Sequence, residues 1–293
     1  MSANDINSQE IGYLLDFYIE VEEDSVRSQI RDRLLSRLPF GCHPIQFIEK
    51  IGCANTRCQL REKALADLND NKIIYDLNQL QLSTSLESIS YLTSRLSESD
   101  IVSYDEFVEK LDRLAEPLIR KINSNSKTNA TELDTLIQYL FVDQGFQGNT
   151  EDFYFPPNNY LTHVLESRVG IPVSLSVLTL LVGRRAGLDL DGINLPGHFI
   201  VVYRTGSIQT YFDPFNEGAL LSEEDCTRYM IRQGIAPDAN FLKPADNFTI
   251  MRRIYQNLIS YYSNSKDRKK EATLNRHLAI LNNKFCTGEN SIR

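Results

Sequence analysis

Residues 168–187 read RVGIPVSLSVLTLLVGRRAG. Pro172 lies where a helix can begin, because its missing N–H and fixed φ suit the first helical turn. Residues 174–186 are almost all apolar or small, and a helix that is apolar on every side is a buried one. Gly187 is the type of residue that commonly ends a helix. This stretch therefore predicts a buried helix in the core of the protein.

A β-hairpin is predicted downstream of this helix. Residues 198–203 and 208–212 are rich in β-branched and aromatic side chains, and Thr205-Gly206-Ser207 between them is a turn signal. A buried helix followed by antiparallel strands indicates an α+β fold.

The first 80 residues are predicted to be helical, because their apolar residues recur at helical spacing. The polar run at residues 69–71 predicts a break in the last of these helices. Residues 25–31 align weakly with residues 55–61, and such a repeat of helix pairs resembles HEAT or armadillo units. Two unrelated amphipathic hairpins remain the alternative interpretation.

The C-terminal part is also predicted to be helical. Residues 248–262 and 268–281 form two amphipathic patterns joined by a polar loop, and the pair looks like a tetratricopeptide-type hairpin. The basic cluster at residues 266–270 lies in that loop, where solvated lysines and arginines are ordinary.

The overall composition argues against several classes of function. The net charge is -8 and the pI is about 5.2, so the chain has no general attraction for nucleic acids or anionic membranes. It shows neither a long apolar run nor a basic leader followed by an apolar segment. The five cysteines lack a disulfide framework, which favours reduced thiols and a cytoplasmic location.

An ordered series of motifs extends from about residue 97 to about residue 282. It comprises Gly145-Phe146-Gln147-Gly148-Asn149, Pro157-Asn158-Asn159-Tyr160-Leu161, Val164-Leu165-Glu166, Arg168-Val169-Gly170-Ile171-Pro172-Val173-Ser174, Arg185-Ala186-Gly187-Leu188, Asn194-Leu195-Pro196-Gly197-His198-Phe199, Asp213-Pro214-Phe215 and Met251-Arg252-Arg253-Ile254-Tyr255-Gln256-Asn257-Leu258. The series resembles the SirB-type branch of the transglutaminase-like superfamily. The resemblance implies a transglutaminase- or papain-like core with tetratricopeptide-like helices after it. We therefore expect a helical, HEAT-like segment at 1–80, an α+β core at 81–244 and a helical hairpin with a tail at 245–293.

The same resemblance implies a set of catalytic positions. In transglutaminases and papain-like proteases a cysteine at the start of a buried helix attacks an acyl carbon, a histidine acts as base, and a carboxylate or amide orients the histidine. The resemblance places His198 at the base position and Asp213 at the orienting position. We expect the two residues on adjacent antiparallel strands, with their side chains converging near the start of the buried helix.

The nucleophile is missing from this set. The cysteine of the family falls near Pro172, but residues 168–186 contain no cysteine. Cys58 and Cys226 stand in the wrong order along the chain for this fold. A thiol mechanism is therefore not expected.

Ser174 has two possible roles. Its hydroxyl with His198 and Asp213 would form a nominal Ser-His-Asp set, and Ser176 is a second candidate for the same position. Alternatively, Ser174 caps backbone groups in the first turn of the helix, and His198 and Asp213 satisfy each other in the core. We expect a non-catalytic interaction or regulatory protein; the alternative is an acyl-transferring or amide-hydrolysing enzyme.

Further candidates carry less information. Asn158, Asn159 and Pro172 could line a pocket, although the sequence Pro-Pro-Asn-Asn is primarily typical of a turn. Cys42-His43 with Cys53 and Cys58 could supply four zinc ligands, but their spacing fits no familiar zinc pattern. We therefore expect no metal and no cofactor. The expected partner is a protein or peptide, with neither nucleic acid nor membrane involved.

Overall fold

The structure is a computed structural model that describes residues 3–44, 46, 58–97, 102–124 and 131–285. The chain forms two compact units, one of residues 1–82 and 101–104 and one of residues 83–100 and 105–293. None of the helices in the described residues combines the length and the hydrophobicity that a membrane span requires. The boundaries predicted at residues 80 and 244 stay predictions.

The first unit is helical in its described part. Its helices are α1 (Ala3–Glu20), α2 (Asp24–Arg37) and α3 (Cys58–Gln79). They share one apolar cluster, which includes Ile11, Leu15, Tyr18, Leu34 and Leu68. The first copy of the weak repeat lies on α2, whereas the second begins outside the described residues. The HEAT-like interpretation therefore stays a prediction.

The break predicted at residues 69–71 is wrong, since α3 runs through it. Burial on one face outweighs the low helix propensity of this polar run: Leu68, Ile73 and Leu77 are all buried. The amide of Asn71 donates to the carbonyl oxygen of Asp67, so this side chain bonds within the helix.

A buried ion pair lies on the same helix. Lys72 and Asp76 are each 1% exposed, and the Lys72 ammonium donates to Oδ1 of Asp76. Oδ2 of Asp76 accepts from the backbone N–H of Gly41 at 3.0 Å. The pair therefore fixes the turn that follows α2.

The second unit contains eight α-helices among its described residues. They are α4 (Leu86–Ser94), α5 (Tyr104–Ser124), α6 (Glu132–Ile137), α7 (Leu161–Ser167), α8 (Pro172–Arg185), α9 (Glu223–Arg232), α10 (Asn247–Asn264) and α11 (Arg268–Phe285). A π-helical turn, Gln138–Asp143, continues α6. The predicted α+β character is confirmed.

Helix α8 is the predicted buried helix. Every residue from 172 to 183 on it is buried. It packs against α4, α7, β3 and β4. Near its C-terminal end, the Arg185 guanidinium donates to Glu87 on α4 and to Asp112 on α5. The helix is therefore held by apolar packing along its length and by ion pairs at one end.

Two sheets accompany this helix. Strands β1 (Gln147–Gly148) and β2 (Val169–Gly170) pair in parallel. Strands β3 (Leu190–Ile193), β4 (Ile200–Thr205), β5 (Ile208–Asp213) and β6 (Ala219–Leu221) form an antiparallel sheet in that order.

The predicted hairpin is confirmed as β4–β5, but its first strand starts later than expected. His198 lies in a turn before β4, because Gly197 adopts a φ of +76° and the N–H of His198 donates to Leu195. The outer strands β3 and β6 and the helix α9 were not predicted.

Both C-terminal helices are confirmed. On the pair, Phe248 stacks on Phe285, and Tyr255 contacts His277 edge to face. Helix α10 packs against α4, α8 and the short 3-10 helix Pro156–Asn159. The pair therefore belongs to the second unit, and its tetratricopeptide-like character stays a prediction.

Candidate functional site

The hairpin brings His198 and Asp213 into direct contact. Nε2 of His198 lies 2.7 Å from Oδ2 of Asp213. Asp213 ends strand β5, whereas His198 lies in the turn ahead of β4, so only one of the pair is on a strand. Their side chains are 15% and 6% exposed. The expected meeting of the two side chains is present, although the strand placement predicted for His198 is wrong.

Asp213 accepts hydrogen bonds from three groups. Besides His198, they are the backbone N–H of Phe215 at 3.0 Å and the side-chain amide of Asn216 at 2.6 Å. A carboxylate with these donors holds the imidazole ring in one orientation, with the proton on Nε2. Nδ1 is then the ring nitrogen left for another contact.

A cleft of about 510 Å³ opens beside this pair. Its apolar wall consists of Leu195, Phe215, Leu221 and Tyr229. The rings of Phe215 and Tyr229 both lie next to the His198 ring, at centroid distances of 6.2 and 5.5 Å. A cleft of this volume, mostly apolar with a few converging polar groups, is typical of a ligand site.

The polar part of the cleft comes largely from α9. Asp225, Arg228 and Arg232 line it together with His198 and Asp213. Asp225 accepts from Ser222 at the start of α9 and from Arg228, and these donors hold the pKa of its carboxyl well below the usual range. Asp225 is therefore a helix-capping group and half of an ion pair.

Ser174 is placed in the first turn of α8 and is 2% exposed. Its hydroxyl donates to the carbonyl oxygen of Asn158 at 2.6 Å and accepts from the N–H of Ile171 at 3.0 Å. A Cβ at Gly170 would lie 2.8 Å from this oxygen, so the glycine permits the close approach. Among the described residues, no hydrogen bond joins Ser174 to His198. These contacts are those of a structural, helix-capping serine.

Ser176, the second hydroxyl candidate, is fully buried and donates to the carbonyl oxygen of Phe199 at 3.3 Å. This contact ties α8 to the segment between His198 and β4. The hydroxyl therefore supports the position of the histidine through the backbone.

Asn158, Asn159 and Pro172 are buried and are not among the residues that line the cleft. The side-chain amide of Asn158 donates to the backbone of Asp152, and that of Asn159 donates to the backbone of Pro156. Both amides are used to close turns, and Pro172 begins α8. Their local hydrogen bonding explains why they take no part in this cleft.

Cys226 lines the cleft, although its position along the chain argued against a role as the nucleophile. Its side chain is 1% exposed, and burial, with Asp225 and Glu223 nearby, raises the pKa of the thiol to about 11. The thiolate is the nucleophilic form of cysteine. At neutral pH this thiol is therefore protonated and poorly suited to attack an acyl group.

The cleft residues that sequence analysis missed are carried mainly by α9. The signal for this helix was present, because Ser222 and Asp225 form a capping box ahead of it. Cys226 and Met230 then follow at a spacing of one helical turn, and both are buried.

The candidate zinc ligands are described only in part. Cys42 is buried, whereas Cys53 and the side chain of Cys58 lie outside the described residues. Across the described part of the chain, no group of three or more His, Cys, Asp or Glu is arranged to hold a metal ion.

A family comparison agrees with this architecture. Residues 105–256, just over half of the chain, match the transglutaminase-like superfamily. The chain therefore belongs to this superfamily. The matched region begins on α5, ends on α10 and contains the whole cleft.

Similar proteins occur in bacteria and in vertebrates. A UPF0162 protein of Xylella fastidiosa (strain Temecula1) is 34% identical over 184 residues, which cover 58% of this chain and 65% of that protein. A UPF0162 protein of Vibrio cholerae is 29% identical over 44% of this chain and 49% of its own length. F-box only protein 21 of Homo sapiens is 26% identical over 68% of this chain and 36% of its own length. The chain thus spans less than two thirds of each of these relatives. No solved structure gives a significant match.

Proposed function

We propose that this protein is a non-catalytic, cytoplasmic interaction or regulatory protein built on a transglutaminase-like core. The observation that carries the proposal is the chemistry at the start of α8. Residues 168–186 supply no cysteine there, and the hydroxyl of Ser174 is bonded to Asn158 and Ile171. A nucleophile has to lie within hydrogen-bond reach of its base, and these contacts direct the hydroxyl elsewhere.

The His198–Asp213 pair then has a structural role in the proposal. Asp213 receives three hydrogen bonds from the turn that it begins and from His198. Such a network fixes the Pro214–Asn216 turn against the segment ahead of β4. The pair therefore shapes the cleft wall instead of moving protons.

The relatives favour a domain that works in different settings. The similar region is about a third of F-box only protein 21 of Homo sapiens and about two thirds of the UPF0162 protein of Xylella fastidiosa. A core that recurs in chains of different length is typical of a domain combined with varying neighbours. We assign the chain to the SirB-type branch of the superfamily as part of this proposal.

The helical flanks support the same role. In the proposal, residues 1–80 form a HEAT-like segment and residues 245–293 a tetratricopeptide-like hairpin. Helical repeats present extended surfaces to partner segments, so the partner is a protein or peptide.

A pair of covalent probes tests the non-catalytic part of the proposal. The folded full-length chain is treated with a fluorophosphonate, which phosphonylates activated serines with loss of fluoride, and with an iodoacetamide, which alkylates thiolates. We expect no rapid, stoichiometric labelling of Ser174 or Cys226, because one hydroxyl is bonded elsewhere and the thiol is protonated. Fluorophosphonate labelling that disappears in both Ser174→Ala and His198→Ala, with circular dichroism unchanged, would overturn the proposal in favour of an acyl-transferring or amide-hydrolysing enzyme.

A further inference from the structure

The acidic groups of the cleft already accept several hydrogen bonds from donors of the chain itself. Asp213 receives hydrogen bonds from His198, Phe215 and Asn216. Asp225 receives them from Ser222 and Arg228. Carboxylates satisfied in this way have little left to offer a cationic ligand, because their lone pairs already accept.

The basic groups at the cleft, in contrast, are not all paired with a carboxylate of the described residues. Arg232 lies exposed at its edge, and no carboxylate of the described residues is within 4.0 Å of its guanidinium. Arg228 is the arginine of the cleft that is already paired, with Asp225. The cleft therefore holds one cation that its own carboxylates leave uncompensated.

A second such cation contacts the apolar wall at Leu195, although it is not among the residues that line the cleft. Arg253 on α10 is half-buried, and burial lowers the pKa of its guanidinium. It donates to Oδ1 of Asn194 at 3.5 Å and to the carbonyl oxygen of Leu195 at 3.4 Å, and both hydrogen bonds are long. It also lies near the hydroxyl of Tyr229, with no carboxylate of the described chain in salt-bridge range. A half-buried guanidinium held only by neutral oxygens is stabilised when an anion binds nearby.

We propose that this cleft binds a peptide through a carboxylate placed next to an apolar side chain. The inference rests on the proposed function, because it names the ligand of a non-catalytic cleft. The carboxylate faces Arg232 and the side of the cleft backed by Arg253, whereas the apolar side chain packs on Phe215, Leu221 and Tyr229. Guanidinium groups match carboxylates in shape as well as charge.

Three pools of hexapeptides, each labelled with an uncharged dye that has no carboxylate (a BODIPY), test the ligand chemistry by anisotropy with the full-length protein. All pools contain Leu and Phe at random positions. The first pool has an internal Asp and an amidated C-terminus, and the second has a free C-terminal carboxylate and no acidic side chain. The third, neutral pool has Asn in place of Asp and an amidated C-terminus. We expect one of the two carboxylate pools to bind at least tenfold more tightly than the neutral pool. The pool that binds more tightly identifies the carboxylate as that of a side chain or of a chain end.

Charge variants locate the binding. Arg232→Gln and Arg253→Gln should each weaken binding of the winning pool several-fold, whereas Arg120→Gln, an exposed arginine on α5 paired with Glu116, should leave it unchanged. Arg232 is exposed, so its variant keeps the test decisive even if Arg253→Gln unfolds the protein. The preference should also weaken at high salt.

Equal affinity for the neutral pool, or no binding by any pool, would overturn the carboxylate inference. Those outcomes leave the covalent-probe result untouched, so a failure of this inference is distinguishable from a failure of the non-catalytic role. Tight binding that survives Arg232→Gln unchanged would also reject this cleft as the site.

Discussion

Replacing Asp213 by alanine should lower the stability of the fold and not only remove a functional group from the cleft. The carboxylate is almost completely buried, and it is the acceptor for His198, Phe215 and Asn216. The Asn216 side chain is exposed and can rehydrate, so the main loss falls on the partly buried imidazole of His198 and N–H of Phe215. Leaving a buried donor unsatisfied costs about 1–3 kcal/mol. For a unit of this size, that loss corresponds to a decrease in Tm of about 2–12 °C.

The assay is thermal and urea unfolding of the full-length chain, followed by circular dichroism. Asp213→Asn is the matched control, because its amide oxygen can still accept from Phe215 while the histidine changes tautomer. Its cost should therefore be smaller than that of Asp213→Ala. A variant that leaves the urea slope unchanged reports on stability alone.

A double-mutant cycle gives the decisive result. His198→Ala and Asp213→Ala each break the same hydrogen bond, so the double variant should cost less than the sum of the single ones by about 0.5–3 kcal/mol. Strict additivity would refute the idea that the pair stabilises the fold through its mutual contact. Unchanged stability in both single variants would refute it as well.

Three further predictions concern other parts of the chain. Gly148→Ala should destabilise the protein by about 1–3 kcal/mol in urea titration, because its Cβ would lie 2.6 Å from the backbone oxygen of Phe215. Gln147→Ala, at the neighbouring exposed residue, should have little effect. Equal losses of stability in the two variants would contradict the argument. Lys72→Ala breaks a fully buried ion pair and should cost about 3–5 kcal/mol; a loss no greater than that of an exposed lysine variant would count against it. The Cys226 thiol should resist a disulfide reagent at pH 8 until the protein unfolds. Because its pKa rises from 9.0 to about 11 on folding, its contribution to stability is complete below pH 9 and is lost as the pH rises towards 11; an identical alkaline profile in Cys226→Ala would contradict this.

Much of the architecture was predictable because it depends on local pattern. The continuous apolar run of α8 and the periodic apolar patterns of α10 and α11 are signals that extend over 14 residues or more. Strands β3 and β6 are short and carry no comparable signal. At Gly192 on β3 a Cβ would lie 2.7 Å from the ring of Phe199, a requirement that arises only once the sheet is assembled.

The site was predictable as a pair but not as a cleft. Motifs identified His198 and Asp213, and the hairpin explains their contact. The cleft, however, needs α9 to fold back so that Cys226 and Tyr229 face that pair. A contact of this kind depends on tertiary packing, which the pattern of a single helix does not contain.

In the proposed function, the histidine–carboxylate pair remains useful without a nucleophile. Asp213 is an acceptor for the turn at Phe215 and for His198 at once, so its removal disturbs two loops that both line the cleft. The arrangement that would orient a catalytic base therefore also fixes the shape of a binding surface. Both roles need the same rigid hydrogen bond, but only catalysis needs a hydroxyl or thiolate beside the ring. Ser174, bonded to Asn158 and Ile171, and the protonated Cys226 do not meet that additional requirement, whereas the requirements of a binding cleft are met.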